Sequence, residues 1–133
     1  MTNDPSQSRV MTWIGRALWA VFVVFMLMDV TMKLLRLPVV EQTGQGLGLP
    51  AGSGFGIGVM EAIILALYIY PRTAVLGAIL VAALMGGTAA TNFIAGKPLF
   101  GFVLFGVYLA LFAWGGLWLR DARLRALIPL RRP

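Results

Sequence analysis

Apolar residues run through this chain in four long stretches, Met11 to Met32, Phe55 to Tyr70, Thr73 to Ile94 and Leu99 to Leu119, rather than alternating with polar ones. About twenty apolar residues in a helix cross a hydrocarbon core of roughly 30 Å. Within such a core each helix satisfies its own backbone. The pattern predicts an all-α membrane protein, an antiparallel four-transmembrane-helix bundle formed as a single domain over 1–133. Pro71-Arg72 and Gly96-Lys97-Pro98 make tight turns after the second and third stretches, and short connections set successive helices antiparallel. The first stretch begins after a basic residue, as a signal peptide would. It runs into Asp29-Val30-Thr31-Met32-Lys33 without a small-x-small cleavage site, so it is read as a retained helix.

The longest connection, Leu37 to Gly54, joins the first two stretches. Pro38 suits the first turn of a helix, which predicts a short surface helix to about Gln45. Glycines from Gly46 to Gly58, with Pro50 among them, follow it. Gly52-x-x-x-Gly56 and Gly54-x-x-x-Gly58 are expected to bring helices close together, as are Ala82, Ala83, Gly86, Gly87 and Ala90 in the third span.

Composition strengthens the membrane reading. Of 133 residues, 59% are hydrophobic and 12% charged, against about half and a quarter in soluble domains. The absence of cysteine and histidine removes disulfides, thiol redox chemistry and the usual zinc or haem ligands. Met11, Met26, Met28, Met32, Met60 and Met85 are therefore read as packing or lipid-facing residues.

The net charge of +6 is distributed by side. Arg9, Arg16, Arg72, Arg120, Arg123, Arg125, Arg131 and Arg132 make eight basic residues on one face of the membrane, against Lys33, Arg36 and Lys97 on the other. This bias predicts cytoplasmic N- and C-termini in a bacterial inner membrane. The five C-terminal arginines act as topogenic, lipid-facing residues next to anionic headgroups rather than as a nucleic-acid surface. Trp13, Tyr68, Tyr70 and Trp118 are expected at the inner interface, Phe93 and Phe100 at the outer one, with Arg16 and Lys33 extended to opposite interfaces.

A charged side chain in hydrocarbon costs about 2.5 to 3.5 kcal/mol on insertion scales and calls for a partner or a purpose. Asp29 precedes Lys33 by four positions and Arg36 by seven, on one helical face in the favourable order. Glu61 lies about 9 Å into the second span. Thr88, Thr91 and Asn92 share a face of the third. These residues fall in the outer half of the bundle. Either they fix helix register, with Glu61 paired to Lys33 or Arg36 and the others bridging helices, or they line a small ligand or proton site.

The chain resembles the DoxX-like family of small four-helix membrane proteins from about Trp13 to Trp118. The resemblance rests on Met32-Lys33-Leu34-Leu35, Leu47-Gly48-Leu49-Pro50, Gly58-Val59-Met60-Glu61, Pro71-Arg72 before Leu76-Gly77-Ala78, and Gly86-Gly87-Thr88-Ala89-Ala90-Thr91-Asn92. It implies that Lys33 and Glu61 are the family's characteristic charged pair. The position of Asn92 is often histidine in that family. The family name derives from a subunit of a thiosulfate:quinone oxidoreductase. The implied role is a non-catalytic membrane subunit or scaffold of a quinone-linked oxidoreductase. Its partners are the lipid bilayer and other membrane proteins or further copies of itself.

The alternative is binding or transport of a small lipophilic or weakly acidic molecule in an outer-half polar pocket. No cofactor is fixed by the residues, and a quinone or lipid is the candidate. With no nucleophile–base pair or metal set to assemble, no catalytic residues are expected, and catalysis by the chain alone is not its expected role.

Overall fold

The structure, a computed structural model, describes residues 5–131. Arg132 lies outside them. The described residues are helical throughout, without strands. Helix α1 runs Pro5–Leu34, α2 Pro38–Gly46, α3 Ser53–Ile69, α4 Ala74–Ile94, α5 Phe105–Arg120 and α6 Ala122–Leu127. Segments Ser6–Leu34, Ala74–Ile94 and Leu99–Arg120 are long and apolar enough to cross a membrane, whereas α3 is apolar but only 17 residues long.

Two boundaries differ from expectation. Helix α1 extends beyond the apolar stretch on its N-terminal side, where it takes in the polar residues Ser6 to Arg9. The fourth apolar stretch is not one regular helix. Leu99–Val103 forms a π-helical turn in which Val103 N–H donates to Pro98 O and Leu104 N–H to Leu99 O. Such wide turns re-aim the residues that follow them.

Helices α1 and α4 each pack against both α3 and α5. One apolar core lies between them, built from Phe22, Met26, Ile64, Leu65, Ala78, Val81, Leu109, Ala113 and Leu117 among others. Outside it the helices present Val21, Val24, Leu27, Ile63, Ile79, Phe93, Ile94 and Leu111 to their surroundings. This surface suits lipid rather than water.

Glycine sets the helix spacing, but largely at positions other than the expected ones. A Cβ on Gly116 would stand 2.9 Å from Trp19 N and 3.0 Å from Gly15 O, so α1 and α5 meet backbone to backbone. Gly77 faces the backbone of Tyr68, and Gly106 lies 3.0 Å from Met85 O by the same measure. Gly58 performs this role between α3 and α1, where its Cβ would meet Lys33 Cβ at 2.7 Å. Gly52, Gly56, Gly86 and Gly87 would meet nothing within 4 Å, and Ala82, Ala83 and Ala90 are exposed. Gly52 instead supplies the left-handed residue (φ 78°) that precedes α3.

Tyr68, in the last turn of α3, points into the core: it is 1% exposed, edge-on to Phe22 at 5.1 Å, and its hydroxyl donates to Ala113 O at 2.6 Å. Trp114 Nε1 donates to Ala78 O at 2.9 Å. These two bonds tie α3 to α5 and α5 to α4 within the core.

The contrast between contact and open glycines gives a direct test. Gly116→Ala should lower the melting temperature of the detergent-solubilised protein, because overpacking costs about 1 to 3 kcal/mol. Gly86→Ala should be neutral or raise it, since alanine gains up to about 1 kcal/mol over glycine in an open helix position. Equal effects in thermal melts would show that the α1–α5 contact does not depend on Gly116.

Candidate functional site

The polar residues of α1 and α3 meet where the two helices come closest. Lys33 is the last basic residue of α1, and a lysine there has an apolar stem long enough to reach an interface. It turns inward instead. Its Nζ lies 2.6 Å from Asp29 Oδ2, 2.8 Å from Glu61 Oε1 and 2.9 Å from Glu61 Oε2. Gly58 permits this. With no side chain between α3 and the Lys33 stem, Glu61, three residues further along the same face, comes within reach. Glu61 is 4% exposed, and both of its oxygens lie within hydrogen-bond distance of the lysine.

Arg36 takes no part in this cluster. It occupies the left-handed conformation after α1 (φ 55°), and its guanidinium lies 4.6 Å from the ring centroid of Phe55.

The polar residues of α4 are placed nearby but do not bridge helices. Thr88 donates to Leu84 O at 3.1 Å, Thr91 to Gly87 O at 2.8 Å, and Asn92 Nδ2 to Thr88 O at 2.9 Å. All three bonds stay within α4. Asn92 is nevertheless 8% exposed.

Between these two polar groups lies a cavity of about 720 Å³ bounded by α1, α3, α4 and the start of α5. Asp29, Lys33, Glu61, Thr88, Thr91 and Asn92 all line it, together with an apolar wall that includes Phe25, Met26, Ile57, Met60, Ile64, Leu84 and Phe105. The size lies within the range of ordinary ligand pockets, about 300 to 1,000 Å³. Helix α2 contributes Val39, Val40, Thr43 and Gly44 along one side of it. It packs on α3, where Val40 lies against Gly54, and Glu41 accepts weakly from Gly52 N–H at 3.3 Å.

Several of these residues escaped the sequence reading. Phe25 lies four positions before Asp29, and Ala83, Gly87 and Thr91 follow one another at intervals of four, so each shares a helical face with a polar residue. That spacing was a usable signal. Ala83 and Gly87 leave room beside the threonines rather than closing a helix contact. Phe105 gave no such signal, because its direction depends on the π-helical turn before it.

Arg120, Arg123, Arg125 and Arg131 do not line the cavity. Arg125 donates to Trp118 O and Leu119 O, both at 2.9 Å, satisfying the last carbonyls of α5. Arg120 donates to Gly116 O. Asp121 caps α6 through Arg123 N–H and Leu124 N–H. The side chains of Arg123 and Arg131 are exposed.

Residues 17–116 match the family model described as the DoxX-like family. No curated protein and no solved structure matches the chain. That match covers most of the sequence, and three helices are long and apolar enough to cross a bilayer. The chain is therefore an integral membrane protein that belongs to the DoxX-like family.

Proposed function

We propose that this protein is a non-catalytic, single-domain bundle of four membrane-spanning helices that holds a small lipophilic molecule with a polar head in the cavity between α1, α3, α4 and α5. One observation carries the reading: an apolar cavity of about 720 Å³ ends at a buried ion cluster. A scaffold needs neither. Charged groups in a membrane interior are functional hypotheses by default, and here they stand beside open space rather than being packed over. A quinone bound in the cavity would also suit a subunit of a quinone-linked complex. The geometry favours binding over a purely structural role.

Helix α3 fits the four-span arrangement, since 17 residues at 1.5 Å each give roughly 25 Å, near the lower limit for a span. The eight-to-three basic bias supports cytoplasmic termini, with α2 on the outer face of the inner membrane. A cysteine introduced at Gln45 should then react with an impermeant thiol reagent added to intact cells, while one at Leu130 should not. The reverse labelling pattern would invert the topology.

The ion cluster should make the effects of its members unequal. Removing Lys33 leaves two carboxylates without a counter-ion, whereas removing Glu61 leaves the Asp29–Lys33 pair intact. Lys33→Leu should cost about 3 to 5 kcal/mol and Glu61→Leu less, with the double change recovering part of the lysine loss. Strictly additive losses in melting curves would show that the two side chains do not interact.

Binding itself is tested with neutral lipophilic probes, 1-adamantanol and a short-chain benzoquinone. A probe at about one hundred times its Kd should stabilise the purified protein by about 2.7 kcal/mol, seen as a rise of several degrees in melting temperature. Gly87→Trp places an indole in the cavity at a position with open space around it, and should abolish that rise. Stabilisation that survives Gly87→Trp, or no stabilisation by either probe, would sink the binding reading.

A further inference from the structure

The polar end of the cavity carries two carboxylates and one ammonium, and this imbalance bears on what the cavity accepts. An ammonium group has three N–H donors. On Lys33 one is taken by Asp29 Oδ2 and one is shared between the two oxygens of Glu61, which lie too close together to take an N–H each. The hydroxyl hydrogens of Thr88 and Thr91 are committed to carbonyls of their own helix. Acceptors stand open beside them. Asp29 meets Lys33 through Oδ2 alone, and its side chain is 32% exposed. Asn92 is almost fully buried and bonds through Nδ2, which leaves its carbonyl Oδ1 without a protein donor. Two carboxylates around one ammonium also leave one formal negative charge over, and Lys33 is the one cationic side chain among the described residues that line the cavity.

The walls act in the same direction. Phe25 and Phe105 line the cavity and meet edge to face with centroids 5.3 Å apart. Aromatic faces attract cations, more strongly where water is excluded.

Resting on the binding reading above, we infer that the cavity selects a lipophilic cation, an ammonium-type head carrying N–H donors on an apolar body, and disfavours carboxylates. The head sits between Asp29 Oδ1 and Asn92 Oδ1, and the body lies along the apolar wall. Lys33 keeps Glu61 neutralised, so Asp29 is the carboxylate available to the ligand. A weakly acidic molecule, part of the expectation from sequence, would meet two carboxylates against a single ammonium.

The test uses three probes of one shape that differ in the head: 1-adamantylamine, 1-adamantanol and 1-adamantanecarboxylate, at neutral pH, with the full-length protein in a neutral detergent. Equilibrium dialysis against protein-free micelles gives the affinities. The amine should bind roughly tenfold more tightly than the alcohol, and the carboxylate more weakly than either, as a single net charge in a partly desolvated site requires. Asp29→Asn should bring the amine down towards the alcohol. The native protein supplies the decisive comparison even if that variant folds poorly. Equal binding of all three probes, or tighter binding of the carboxylate, would overturn the cation preference while leaving a lipophilic cavity in place. Binding of none would remove the cavity as a site, and the preference with it.

Discussion

A lysine ammonium held by two carboxylates inside an apolar helix bundle is the interaction on which the rest of this structure depends. Each of these charges alone would cost about 2.5 to 3.5 kcal/mol in hydrocarbon. The cost falls only when they meet with their hydrogen bonds complete. Asp29 and Lys33 are paired by one turn of α1, but Glu61 belongs to another helix. The cluster therefore fixes the register of α3 against α1. Gly58 is the steric condition for it, because any larger residue there would hold the helices apart at the level of Lys33.

The two ends of the bundle are built differently. Around Gly15, Gly116, Tyr68 and Trp114, backbones touch and polar groups are bonded across helices, leaving a dry, closed core. Around Asp29, Glu61 and Asn92, α1 and α3 still touch at Gly58, but a cavity lies between them and the polar groups of α4, which bond within their own helix. The space left is the cavity. A core that ends in a buried ion pair cannot be filled by apolar side chains without desolvating the charges further. An open end beside the cluster is the physical alternative to a closed one.

Helix α2 and the π-helical turn complete this end. Among the helices α2 packs chiefly on α3, through Val40 on Gly54, so it lines the cavity without being part of the core. The turn over Leu99–Val103 directs Phe105 and Gly106 towards the same space. A ligand held there would contact every helix from α1 to α5, which suits a bundle whose helices meet around one site.

The sequence by itself determined that the protein is helical and belongs in a membrane, because uninterrupted apolar runs and the charge deficit leave no soluble alternative. It also determined which polar residues would be exceptional, since Asp29, Lys33, Glu61 and Asn92 stand out against hydrocarbon whatever their partners are. Only the tertiary structure decided those partners. Lys33 chooses Glu61 while Arg36 stacks on Phe55, and both choices depend on the approach of α3 at Gly58. The role of each glycine was equally undecided, because Gly86 and Gly116 have the same local chemistry and differ only in whether another helix passes over them. The partner of Tyr68 was undecided for a similar reason: an amphipathic ring suits any place that offers its hydroxyl an acceptor, and here Ala113 O supplies one. Periodicity states which residues share a face. What that face meets, a helix, a lipid or an empty cavity, depends on distances between segments far apart in the chain.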